Sequence, residues 1–126
     1  YDSPESAYEY SEGKLVHQED KSFMEDIISI IEENIENETL RPELIAGKLG
    51  ISSRSLYRKV KKITLMPPSD FIKDYKLIYA AKLLINTNLT VKEITYKVGI
   101  SNKSHFYREF LKKYEMTPND YRKHKS

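Results

Sequence analysis

Slid along itself, the sequence matches its own later part. LRPELIAGKLGIS at residues 40–52 aligns with LTVKEITYKVGIS at 89–101, an offset of 49. One residue is then inserted, and LYRKVKKITLMPPSDF at 56–71 aligns with FYREFLKKYEMTPNDY at 106–121, keeping the pairs Tyr57/Tyr107, Arg58/Arg108, Met66/Met116, Pro68/Pro118 and Asp70/Asp120. A repeat of this length restricts the chain to two copies of one supersecondary unit. Each copy reads helix, glycine, tight turn, helix, which is the helix-turn-helix pattern. Gly50 and Gly99 stand where the first helix must close, a position that favours left-handed backbone, and Ile51 and Ile100 plug the angle between the two helices. Ser52 and Ser101 follow, each placed to cap the second helix.

The second helix of each copy has one apolar seam and one basic, polar face. In the first copy Leu56, Val60 and Ile63 point inward while Arg54, Tyr57, Arg58 and Lys61 point elsewhere; in the second, Phe106 and Phe110 take the inward part. Between the copies, residues 68–87 are apolar on more than one side through Phe71, Ile72, Leu77, Ile78, Ala80, Leu83 and Leu84, which predicts a long connecting helix. A further helix is expected from an N-cap at Ser22, with Glu25 completing a capping box and Phe23, Ile27, Ile30, Ile31 and Ile35 at helical spacing, ending near Asn37. No stretch alternates in the way a strand demands, so the fold class is all-α, two helix-turn-helix subdomains of about seven helices in all.

Charge is segregated along the chain. Residues 1–40 hold 12 acidic and two basic side chains, a net charge of −10, whereas residues 41–126 hold 19 basic and seven acidic, a net charge of +12. The opening 21 residues have few aliphatic side chains and no sustained period, and read as a flexible acidic linker or tail preceding a domain over 22–126. A basic block of that size on a small domain is the electrostatic footprint of a nucleic-acid binder. Cysteine is absent, the three histidines lack ligand spacing, and no apolar run reaches the roughly 18 residues needed to span a bilayer, so no cofactor or metal is expected and a cytoplasmic setting fits. The chain opens at Tyr1 without a methionine and reads as a fragment. No nucleophile with its base, carboxylate pair or phosphate-cradling glycine loop is recognisable, so an enzyme is not expected.

The paired repeat, the long connecting helix and the run FYREFLKKYEMTPNDYR resemble the C-terminal DNA-binding domain of the AraC family over about residues 23–125. The signature residues stand as Phe106, Phe110, Thr117, Pro118, Tyr121 and Arg122. The sequence departs from the family at Leu65 and Glu115, where glycine is usual, at Thr95, usually alanine, and at Lys76, usually arginine. The resemblance implies a transcription regulator whose first unit (about 42–64) and second unit (about 90–114), joined by a helix over about 68–86, each insert a second helix into the major groove. It places Arg54, Tyr57 and Arg58, and Lys103, Ser104, Tyr107 and Arg108, at base-facing or groove-facing positions, and Lys59, Lys61, Lys62, Lys112 and Lys113 near phosphates. His105, beside the core position Phe106, is expected to be structural or phosphate-facing. The implied partners are double-stranded DNA, as an asymmetric site with two halves about one turn apart, RNA polymerase, and a sensing or receiver domain elsewhere in a longer chain. That longer chain follows either a ligand-binding or a two-component plan, and a hybrid sensor could be membrane-anchored. A helical module binding acidic proteins or RNA through its basic face is the alternative left open by the residues alone.

Overall fold

A computed structural model of the chain describes residues 18–125 and shows, among them, seven helices and no strand. In chain order these are α1 Gln18–Glu33, α2 Pro42–Leu49, α3 Ser53–Thr64, α4 Pro68–Asn86, α5 Val91–Lys97, α6 Lys103–Tyr114 and α7 Pro118–Lys125. The all-α expectation holds. The expected acidic tail lies, for residues 1–17, outside the described residues.

The chain divides into two compact units. The first takes in the described residues up to Asn34 together with Thr39–Lys73; the second takes in Ile35–Glu38 and Asp74 onward. In the first unit α1 turns Met24, Ile27, Ile28, Ile30 and Ile31 inward, with Ile45 and Ala46 of α2 and Leu56 and Val60 of α3 buried in the same unit. Ser22 is not the cap expected of it, because Gln18–Lys21 are already helical. The helix also closes earlier than Asn37: the Asn34 side-chain amide donates to the Ile30 oxygen at 2.8 Å and ends the ladder there.

Both copies end their first helix in the same way. Gly50 (φ 70°) donates to the Gly47 oxygen and Ile51 to the Ala46 oxygen; Gly99 (φ 66°) donates to the Tyr96 oxygen and Ile100 to the Thr95 oxygen. This paired closure satisfies carbonyls that the helix leaves open, and it requires the left-handed backbone that glycine adopts without a Cβ penalty. The start of the second helix differs between copies. Ser52 accepts from the Ser55 N–H at 3.1 Å, as expected, but the cap of α6 is Asn102, whose side chain accepts from the His105 N–H at 2.9 Å. The one-residue insertion in the second copy falls between glycine and cap, so Ser101 is displaced from the capping role and donates instead to the Glu38 carboxylate at 2.6 Å.

The second unit is held by a core in which Leu77, Ala80, Ala81 and Leu84 of α4 meet Val91 and Ile94 of α5, Val98, and Phe106 and Phe110 of α6. Phe110 sits at the middle of an aromatic group, 5.7 Å from Phe106, 4.6 Å from Tyr114 and 5.5 Å from Tyr121 between ring centroids. α5 opens with a complete capping box, Thr90 accepting from the Glu93 N–H and the Glu93 carboxylate accepting from the Thr90 N–H at 2.8 Å. The hydrogen bonds from the Thr90 backbone and then its side chain hold the Glu93 carboxyl below the usual carboxylate range.

The two positions where glycine was expected, Leu65 and Glu115, take left-handed backbone themselves, with φ of 65° and 59°. Each closes its helix by one hydrogen bond, to the Lys61 and Leu111 oxygens respectively. A side chain there costs about 1–2 kcal/mol relative to right-handed backbone, and both residues are exposed, so removing the side chain loses little packing. Leu65→Gly and Glu115→Gly are therefore each expected to raise stability by about 0.5–1 kcal/mol, read as an upward shift of the urea midpoint; a downward shift would mean that the Cβ carries a packing contribution larger than its strain.

Candidate nucleic-acid interface

α3 alternates buried and exposed residues at helical spacing. Leu56, Val60 and Thr64 are buried, while Arg54, Tyr57, Arg58, Lys59, Lys61 and Lys62 are all exposed. Thr64 takes the third inward position expected of Ile63, which is half-buried; the Thr64 hydroxyl can be buried because it donates to the Val60 oxygen at 2.8 Å and accepts from the Met66 N–H. The helix carries no acidic residue, so its outer face presents five cations and one tyrosine ring. Lys59 also lies over the Phe23 ring at 4.7 Å, which shields one face of that half-buried aromatic.

α6 repeats the arrangement with differences. Phe106 and Phe110 are fully buried, and Lys103, Ser104, Arg108 and Lys112 are exposed. Tyr107 is half-buried, its ring edge-on to Phe106 at 6.4 Å, whereas its counterpart Tyr57 is 48% exposed. Lys113 differs most from expectation. Its ammonium is half-buried and donates to the Asp74 carboxylate at 2.5 Å, which ties α6 to α4 within the second unit. A pairing across 39 residues leaves no local trace in the sequence.

Three anchors the sequence reading did not foresee support the N-terminus of α6 and the approach to α5. Lys76 on α4 is buried, and its Nζ donates to the main-chain oxygens of Asn37 at 2.9 Å and Gly99 at 3.4 Å. Burial holds this ammonium below the ordinary lysine range, opposed by the nearby Glu38 carboxylate. Glu38 in turn receives the Ser101 hydroxyl, so the segment Ile35–Glu38 grips both ends of the turn leading into α6. Arg122 on α7 donates to the oxygens of Leu84 (2.8 Å), Thr87 (3.2 Å) and Leu89 (2.7 Å), satisfying the carbonyls at and beyond the end of α4. Its presence in the sequence signature is thus explained by architecture. The buried Thr95 is accommodated because its hydroxyl donates to the Lys92 oxygen at 2.6 Å.

A family model described as a helix-turn-helix domain matches residues 45–124. The structure is similar to that of the C-terminal domain of the two-component response regulator yesN from Fusobacterium nucleatum, with 32% identity, 80% of this chain and 98% of that chain covered and a TM-score of 0.70. It is also similar to a transcriptional regulator with an AraC-type DNA-binding domain from Chromobacterium violaceum, with 27% identity, 87% and 97% coverage and a TM-score of 0.78. The chain belongs to the AraC family. It is a DNA-binding transcription regulator domain of that family. Among full-length relatives, Histidine kinase P4 of Formosa agariphila is 31% identical over 102 residues, 81% of this chain and 7% of that protein. The chain spans between 7% and 29% of the length of the first curated relatives it matches. Among the described residues no helix is long and apolar enough to cross a membrane and no acidic, histidine or cysteine cluster could hold a metal ion. As an AraC-family domain, the chain presents two exposed basic helix faces at equivalent places in its repeat, and the cores beneath them are built differently.

Proposed function

We propose that this domain is the output end of a larger regulator and reads DNA through α3 and α6, each lying in a major groove. The observation that carries this reading is the Tyr-Arg pair repeated at one helical register, Tyr57 with Arg58 and Tyr107 with Arg108, with both arginines exposed opposite a buried seam. Arginine can bridge guanine O6 and N7, and tyrosine or serine can serve base edges or phosphate. Arg54, Tyr57 and Arg58 take this role on α3, and Lys103, Ser104, Tyr107 and Arg108 on α6. Lys59, Lys61, Lys62 and Lys112 neutralise phosphate, and Lys113, engaged with Asp74, acts on DNA only by holding α6.

Because the two reading helices differ in sequence, SRSLYR against KSHFYR, the site is asymmetric, with halves about one helical turn apart. The name of the response-regulator relative supports a receiver domain as the input, and activation or repression proceeds with RNA polymerase as partner. Such a domain works in the cytoplasm, whatever anchors the rest of the protein.

Arg58→Ala and Arg108→Ala are each expected to cost about 1–3 kcal/mol on the best site and to relax preference at one base position. Lys62→Ala is expected to weaken all duplexes alike and to reduce the salt slope by about one. Binding titrations on a selected site and on random duplex, repeated at several salt concentrations, separate the two behaviours. Equal losses on both duplexes for the arginine variants would rule out base readout by those side chains.

A further inference from the structure

The two reading helices differ in what stands one turn before their shared arginine. On α6, an Nη of Arg108 lies 3.1 Å from Nδ1 of His105. A guanidinium has donors and no acceptor, so the bond requires Nδ1 to accept, which places the ring proton on Nε2. Residues three apart share a helix face, and such a bond draws a long side chain toward one rotamer among the many it samples in water. Only one of five guanidinium N–H groups is engaged, which leaves the others for a base edge. The neighbouring Lys103 is placed similarly, its Nζ 5.8 Å from the Tyr107 ring centre. On α3 the counterpart of His105 is Ser55, and its short side chain is occupied elsewhere: its hydroxyl oxygen accepts from the Ser52 hydroxyl at 3.1 Å, within the helix cap. No described contact orients Arg58 in the same manner.

We propose that His105 is a positioning residue for DNA recognition, holding the Arg108 guanidinium in place before the duplex arrives. This rests on the reading of Arg108 as a base-contacting residue. An arginine already restricted to one arrangement loses less freedom on binding, and it meets a mismatched base with less latitude to rearrange. His105 thereby sharpens discrimination without touching a base. Its backbone N–H is the group that Asn102 caps, and that bond survives any substitution of the ring, so the role can be separated from folding.

The experiment is a competition assay with the whole 126-residue chain against duplexes in which each base pair of a selected site is changed in turn. Arg108→Ala first identifies the base pair that arginine reads. His105→Ala should then reduce discrimination at that same pair by about 2- to 12-fold, the range expected for immobilising one flexible side chain, with random-duplex affinity and melting temperature unchanged. His105→Asn keeps an acceptor near the place of Nδ1 and should retain discrimination within about 2-fold of the parent. Full discrimination in His105→Ala, with Arg108→Ala still selective in its loss, overturns the positioning role alone. Asparagine failing to restore what alanine loses also overturns it, since the acceptor would then not be the operative feature. A uniform loss in Arg108→Ala removes the underlying reading and the positioning role with it.

Discussion

Phe110→Ala is expected to destabilise the domain by about 4 kcal/mol, and Val60→Ala, at the equivalent place in the first copy, by about 2 kcal/mol. Both parents are fully buried, at 0% and 1% exposure, so the difference comes from what each side chain fills. Phe110 touches three other aromatic rings, Phe106, Tyr114 and Tyr121, with Tyr121 edge-on at 87°. Truncation opens a cavity whose remaining rings cannot close over it without abandoning these arrangements, and each such pair is worth about 0.5–1.5 kcal/mol beyond its area. Truncating Val60 removes only two methyl groups, against a whole ring at Phe110. Urea unfolding followed by circular dichroism measures both. Near-equal midpoints would show that the aromatic group is loosely packed and that the two cores are interchangeable in energy.

How much of this was legible in the sequence follows the range of each interaction. The repeat announced the helix pairs because glycine and apolar spacing act within one or two turns, and α4 begins at Pro68, the first residue of the apolar stretch read as a connecting helix. The capping role failed at Ser101 because the inserted residue lies between Gly99 and Asn102, and alignment alone cannot say on which side of the serine the insertion falls. Lys76 stood out only as a departure from the family's usual arginine; its burial depends on carbonyls 39 and 23 residues away, supplied by the fold and invisible to periodicity. The resemblance placed Lys113 near phosphate, and only the approach of α4 reveals Asp74 as its partner. The outward placement of Arg54 and Arg58 was accessible to helical spacing, since an outward face is set by the inward one, whereas Lys103 and Arg108 came from the resemblance; all four are exposed. The bond between His105 and Arg108 is local in sequence, yet spacing gives only proximity and not the rotamers that join them.

Gly99→Ala is expected to cost about 3–4 kcal/mol, against about 1–2 kcal/mol for Gly50→Ala, although the two glycines occupy matching turns. Both have left-handed backbone, φ 66° and 70°, so an added Cβ meets the same intrinsic strain. Their surroundings separate them. A Cβ on Gly50 would find nothing within 4 Å, whereas one on Gly99 would stand 2.8 Å from the Ile35 oxygen, 2.8 Å from Lys76 Nζ and 3.0 Å from the carbonyl carbon of Glu36. The lysine end can swing aside only by releasing the oxygens of Asn37 and Gly99, and the other two atoms are main chain and cannot yield alone. The segment Ile35–Glu38 must then move away from the turn, which also withdraws Glu38 from Ser101 immediately before the α6 cap. Gly99→Ala should therefore lose DNA affinity at temperatures where it remains folded, while Gly50→Ala loses stability in proportion to strain alone. Denaturation midpoints for the two variants, paired with titrations on a selected duplex, test this. Equal losses of stability would show that backbone strain is the whole effect and that the turn has room to spare.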